Sequence, residues 1–264
     1  MTIAKKHPGR LRNSRRSGIS RRLGLTPTTQ DVVEKWLDEA LPDGGASALD
    51  AGCGRLSQLR PFRKRIGRFV GVDIHQPARP LEWLDEFQVA DLCTDAEAFP
   101  EGTFDLALSS FTVEHFADPV AAFRIIHGWL RPGAWLVVTT VNRAHPFVNI
   151  YLSLPSELRG RAQEMVKASA ADAHPLVGAC NTPSELRAGL REAGYTDIEL
   201  VTTGHLARAW GRTLPTWALG LAGDLAAHSV PSRRSTIVAR GRKAPSATAA
   251  AADAEATPAM ATRS

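Results

Sequence analysis

The sequence predicts an α/β protein built on a doubly wound, mostly parallel sheet. Three observations predict it: short apolar runs alternate with stretches of helical periodicity, the first run drives straight into a glycine turn, and acidic residues stand at the ends of three successive runs. Strands separated by helices are joined by crossovers and lie parallel, with helices covering both faces. In such sheets ligands bind at the carboxyl ends of the strands.

The elements follow in order. TPTTQDVVEKWLDEAL opens with Thr and Asp as cap candidates, and Val32, Val33, Trp36, Leu37 and Leu41 recur at helical spacing, which predicts an amphipathic helix over about Thr29 to Leu41. SALDA is the first strand, followed by the turn Gly52-Cys53-Gly54 and a helical stretch from about Ser57. RFVGVDI is the second strand, ending in Asp73; FQVADL is the third, ending in Asp91; FDLALSS is the fourth. A helix is expected from about Pro119 to Leu130, with Arg131-Pro132-Gly133 as its stop signal and AWLVVTTV as the fifth strand. TPSELRAGLREAG reads as a capped helix with Leu186, Leu190 and Ala193 on one face, before the strands YTDIELVTT and STIVARG.

Length and composition bound the rest. The 264 residues, 44% hydrophobic and 22% charged, suit one globular domain with appended material. Three cysteines (Cys53, Cys93, Cys180), with no CxxC pair and no histidine cluster at ligand spacing, argue against a disulfide framework or a structural metal site, and a reducing cytoplasmic location is expected. No apolar run reaches the roughly 18 residues of a membrane span. Net charge is +5 but unevenly placed: residues 1–30 carry eight Lys/Arg and no acid, whereas residues 31–240 carry 21 Lys/Arg against 25 Asp/Glu. The sequence therefore divides into a basic disordered tail over 1–26, a domain over 27–243 and an Ala-rich disordered tail over 244–264. Residues 1–25 suit contact with nucleic acid, an anionic membrane or an acidic partner, or serve as a solubilising tail.

The strand-end acids are the informative pattern. Two near-adjacent glycines let main-chain N–H groups approach a ligand. Asp73 lies 19 residues after Gly54, at the end of the next strand, where a carboxylate reaches the hydroxyls of a ribose. Asp50, Asp73 and Asp91 at one edge of the sheet, beside a glycine turn, point to an adenosine-type ligand. The dinucleotide fingerprint is incomplete, because Ser57 stands where the third glycine belongs; a dehydrogenase would also need a second domain.

The run from about residue 46 to 142, carrying LDAGCGR, VGVDI, VADL, FPEGTFDLALSSFTVEHFADP and WLRPGAWLVVTTVN, resembles the class I S-adenosylmethionine-dependent methyltransferases, in particular the group that includes the ubiquinone and menaquinone methyltransferases. The resemblance implies a Rossmann-like sheet closed by a terminal antiparallel strand. It also implies that Asp50, Ala51, Gly52, Cys53 and Gly54 line the methionine part of the cofactor, that Asp73 with Ile74 takes the ribose, that Asp91 and Leu92 border the adenine, and that Ser109, Ser110 and Phe111 lie near the sulfonium. The family loop often has a third glycine where this chain has Leu56, a departure that bears on affinity. His115, in Val113-Glu114-His115, is the candidate general base, with a structural role in the loop as the alternative; His145 and Asn142 come next, and Glu114 is expected to orient a histidine or cap a helix. Insertions at about 143–180 and 204–233 are apolar enough to fold over the open edge of the sheet and are the candidate pocket for a small-molecule acceptor, lipid-like, quinone or other secondary metabolite. Trp210, Trp217, Leu219 and Leu221 in the second suit equally a lid, a dimer face, a membrane-leaning helix or plain core packing. RNA methylation through the basic arm and a non-catalytic cofactor-binding role are the alternatives.

Overall fold

The computed structural model describes residue 19 and residues 22–155, 157–161, 179–211 and 213–246. Seven strands, β1 Ala46–Ala51, β2 Ile66–Asp73, β3 Glu86–Val89, β4 Phe104–Ser110, β5 Leu130–Val141, β6 Tyr195–Thr203 and β7 Thr236–Lys243, form one sheet in the order β3-β2-β1-β4-β5-β7-β6. The five on the β3 side pair in parallel, and β7 runs antiparallel to both β5 and β6. The order reverses between β1 and β4, which leaves a crevice at their carboxyl ends. Every residue of β1 is buried, as the centre of a doubly covered sheet requires.

Alternation along the strands divides the core in two. One face carries Leu49, Val70, Phe104, Leu136 and Val138 against α2 (Pro119–Trp129) and α4 (Pro183–Glu192), through Phe123, Ile126, Trp129, Leu186 and Leu190. The other carries Ala48, Phe69, Leu106, Leu108 and Val137 against Val33, Trp36 and Leu37 of α1 (Thr29–Ala40). Local chemistry starts each helix. Thr28 and Asp31 form a capping box at α1, Thr182 and Glu185 another at α4, and Asp118 caps α2 ahead of Pro119.

Three expectations need correction. No α-helix follows the glycine turn: Ser57 Oγ accepts from Leu59 N at 3.0 Å and Pro61 cannot donate, so the chain makes only a 3₁₀ turn, Arg60–Phe62, pinned by the fully buried Leu59. The third strand ends at Val89 rather than Asp91, because Asp91 N turns back to Asp95 Oδ2 at 2.9 Å and Asp91 Oδ1 takes Cys93 N at 2.8 Å. Arg131-Pro132-Gly133 lies inside β5, after α2 has ended at Trp129, with Gly133 at φ +85° where the β4 register shifts. The first insertion supplies α3 (Pro146–Ser153), and the second α5 (Leu206–Ala209) and α6 (Leu214–His228). Residues 1–18, 20 and 21 of the basic tail, 156 and 162–178 of the first insertion, 212 of the second and 247–264 of the Ala-rich tail lie outside the described residues.

Candidate functional site

The crevice is built from the ends of β1, β2 and β4. Gly52 N and Cys53 N both donate to Val72 O, at 2.8 and 3.1 Å, bending the chain off β1. Gly52 has φ +76°, and a Cβ there would run into the Thr112 side chain, so glycine alone lets the β1 turn lie under the β4 loop. Gly54, at φ +49°, faces open space. Its N–H donates to Asp73 Oδ2 at 3.0 Å, while Asp73 Oδ1 takes His75 N at 3.1 Å, so the carboxylate is oriented by two backbone donors at the rim. Ile74 beside it is 53% exposed. Leu56 is 79% exposed.

Asp50 is the anomalous group. It is 2% exposed, and its Oδ2 has no hydrogen-bond partner among the described residues. Burial pushes its carboxyl up to about 7, against the opposing pull of a hydrogen bond from Ser57, and the nearby Asp73 charge adds to the rise. Ala51 and Cys53 are buried beside it, and the Cys53 thiol is likewise pushed up, first by burial and then by the Asp50 and Asp73 charges. An orphaned buried carboxylate at a ligand crevice suits a cationic ligand group that supplies the missing donors.

Asp91 is half-buried beyond β3, and Leu92, 4% exposed, belongs to the core. From β4, Ser109 Oγ is buried without a partner among the described residues, and Ser110 Oγ receives Gln58 Nε2 at 2.7 Å and lies 3.1 Å from Thr139 Oγ1. Phe111 takes the left-handed conformation at φ +55°, its N–H donating to both Thr139 O and Thr139 Oγ1. This holds the Phe111 side chain at the strand end. His115 ends the 3₁₀ turn Val113–His115 and is half-buried, its N–H bonded to Thr112 O. Glu114 is buried and accepts from Thr140 Oγ1 at 2.9 Å, and Asn181 Nδ2 donates to that same hydroxyl.

Two base candidates are committed elsewhere. Asn142 Nδ2 donates to Ser232 O and Arg234 O, and its Oδ1 accepts from Ala144 N, so it ties β5 to the loop before β7. His145, 1% exposed, caps α3: Nδ1 accepts from Phe147 N at 3.1 Å and Nε2 lies 3.3 Å from Gly223 O, leaving neither nitrogen for a proton from outside. Burial also holds its pKa down.

The second insertion brings in a residue the sequence did not single out. His205 places its ring 5.0 Å from that of Phe111, tilted by 32°. Phe147 and Trp210 stack at 6.0 Å. No local pattern announces these contacts, since they join β4, α3 and the α5 region across the sheet edge. Thr112, Thr139 and Gln58, which set the shape of the crevice, are equally silent in the sequence.

The Methyltransferase domain family model matches residues 27–200, about two thirds of the chain. The chain belongs to this family. S-adenosylmethionine is its cofactor, and the crevice fits it in three ways: an orphaned carboxylate at Asp50, a rim carboxylate oriented by backbone at Asp73, and open space over Gly54. The methyltransferase is 32% identical over 108 residues to a ubiquinone biosynthesis O-methyltransferase of Ruegeria pomeroyi, covering 39% of this chain and 44% of that one. It is 27% identical over 184 residues to phosphoethanolamine N-methyltransferase 1 of Arabidopsis thaliana, covering 66% of this chain and 33% of the relative. The match thus spans less than half the length of either. Among solved structures, phosphoethanolamine N-methyltransferase 2 of Haemonchus contortus in complex with S-adenosyl-L-methionine superposes with a TM-score of 0.51 at 16% identity, over 79% of this chain and 51% of that one. Among the described residues no helix is long and apolar enough to cross a membrane, and no group of three or more His, Cys, Asp or Glu is arranged to hold a metal ion.

Proposed function

We propose that this methyltransferase transfers a methyl group to the hydroxyl of a small acceptor with an aromatic or otherwise apolar body. The observation that carries this reading is two aromatic pairs on the segments that follow β4 and β5, Phe111 with His205 and Phe147 with Trp210, which together would form an aromatic wall. A ring or apolar body packs on such a wall, and binding energy from that body positions the reacting oxygen. The two insertions meet at Phe147 and Trp210, which supports reading them as the acceptor pocket.

Bound S-adenosylmethionine supplies an electrophilic methyl whose departure leaves a neutral thioether, so the chain's share of the work is orientation and exclusion of water. Asp50 and the Gly52–Gly54 backbone would hold the amino-acid end, Asp73 the ribose and Asp91 the adenine edge, as the resemblance implies. His115 remains a candidate to hold a proton near the reacting oxygen. Calorimetric titration with S-adenosylmethionine, S-adenosylhomocysteine and NAD is the first test: binding of the first two and not the third is expected, and binding of none removes the reading. Methyl release with catechols and with phosphoethanolamine then separates the acceptor classes; turnover of phosphoethanolamine alone would overturn the apolar assignment.

A further inference from the structure

His205 differs from His145 and His127 in what its ring nitrogens meet. His145 has both ring nitrogens engaged. The His127 ring meets Tyr195 edge-on at 4.9 Å and is engaged by the Gly194 backbone. The His205 ring lies against Phe111, and neither of its nitrogens has a hydrogen-bond partner among the described residues. Half-buried by its exposed area, it is enclosed enough that desolvation, with the Arg208 charge beside it, pushes it down to about 4. A neutral imidazole carries one free lone pair and one N–H. A polar ring left unpaired in such a place ordinarily costs stability, unless a ligand completes it.

Its backbone, by contrast, is fixed by Asp224 and Ser235. His205 N donates to Asp224 Oδ1 at 3.1 Å and to Ser235 Oγ at 2.8 Å. Leu206 N and Ala207 N donate to the same buried carboxylate at 3.1 and 2.9 Å, and Ser235 Oγ donates to it at 3.1 Å. The side chain is therefore delivered to one place, over Phe111, at the strand end where the resemblance puts the reacting methyl. Rigid main chain with an unpaired polar tip is how a binding contact is preorganised.

We propose that His205 binds the acceptor's reacting hydroxyl, accepting its hydrogen bond and so selecting hydroxyl-bearing acceptors over their methyl ethers. The proposal rests on the methyltransferase reading above, and it assigns the choice of acceptor to a residue outside the cofactor motifs.

The test uses the full chain saturated with S-adenosylhomocysteine and titrated at pH 7 with 4-methylcatechol and with its dimethyl ether, 4-methylveratrole. His205→Phe keeps a ring over Phe111 but has no lone pair; His205→Gln restores an acceptor. The wild type is expected to favour the catechol. His205→Phe should lose about tenfold of that preference, with ether binding and S-adenosylhomocysteine affinity within about twofold of wild type, and His205→Gln should recover part of it. An unchanged catechol-to-ether ratio in His205→Phe, with S-adenosylhomocysteine still bound, overturns the role of His205 and leaves the methyltransferase reading standing. Failure of the wild type to bind the catechol overturns the hydroxyl-acceptor class and the role with it. Failure to bind S-adenosylhomocysteine overturns the cofactor reading beneath both.

Discussion

A single carboxylate carries the sharpest expectation at the residue scale. Asp50, raised to about 7 mainly by its own burial, is largely protonated in the unliganded protein at pH 6. A cationic amino group placed beside Oδ2 favours the ionised form, so cofactor binding at pH 6 should release close to one proton, and binding at pH 8.5 almost none. Calorimetry of S-adenosylhomocysteine in buffers of different ionisation enthalpy reads this directly; equal heats in all buffers at pH 6 would remove Asp50 from the amino-acid end of the site. Linkage gives the stability counterpart. A folded pKa above the unfolded 3.8 means a contribution fully present below pH 4 and lost as pH rises through about 7. Asp50→Asn should therefore stabilise the unliganded protein at pH 8 by up to a few kcal/mol and flatten its stability between pH 4 and 7. Asp73 tests the opposite rim. Asp73→Ala removes a charge-assisted acceptor worth about 1.5–3 kcal/mol in all, so cofactor affinity should fall about ten- to a hundredfold with folding retained; an unchanged dissociation constant would move the ribose elsewhere.

Elements carry the second kind of expectation, because the proposed acceptor wall is held by hydrogen bonds between them. Asp224, 4% exposed on α6, receives three consecutive backbone N–H groups at the start of α5 and the Ser235 hydroxyl at the start of β7. Asp224→Ala strips all four at once and should cost about 2–4 kcal/mol. Amide exchange should show where: protection lost over 204–211 with β1 and β4 unchanged. Uniform loss across the sheet would mean instead that the cap is part of the core. These contacts also mark where sequence reasoning stops. Strands β1, β2, β4 and β5 are legible because a buried parallel strand is a continuous apolar run, and α1, α2 and α4 because each opens on a cap and repeats at helical spacing. The stretch after Ser57 misleads because a side chain and Pro61 capture a backbone that would otherwise wind into a helix. His205 is illegible because what places it, Asp224 and Ser235, stands 19 and 30 residues further along the chain. The crevice at the ends of β1, β2 and β4 follows local motifs, whereas the proposed acceptor wall follows tertiary contacts.

Over the whole molecule, the strand order puts the last strand between β5 and β6, so the fold closes only when residues near 240 reach those near 40. Arg240 of β7 makes that closure. Its side chain, 13% exposed, donates to Glu199 of β6 at 2.9 and 2.6 Å and to Glu39 of α1 at 2.7 Å. The guanidinium also lies over the rings of Trp36 and Trp135, at 5.1 and 4.7 Å. Which of these holds matters is decidable on magnitude. The two carboxylates are 42% and 51% exposed, and an ion pair to so exposed a partner is worth no more than about 1 kcal/mol. The stacked, largely buried guanidinium and its stem bring cation–π and packing contributions of about 1 kcal/mol per ring, which salt screens less. Arg240→Ala should therefore cost about 2–3 kcal/mol. Glu39→Gln and Glu199→Gln should each cost under about 0.5 kcal/mol, all three read as shifts in the urea midpoint at constant slope. Arg240→Lys should fall between, because an ammonium keeps the charge but not the planar face that lies on both tryptophans. If Glu39→Gln matched Arg240→Ala, charge rather than stacking would be what closes α1 onto the sheet, and the loss would then shrink at high salt.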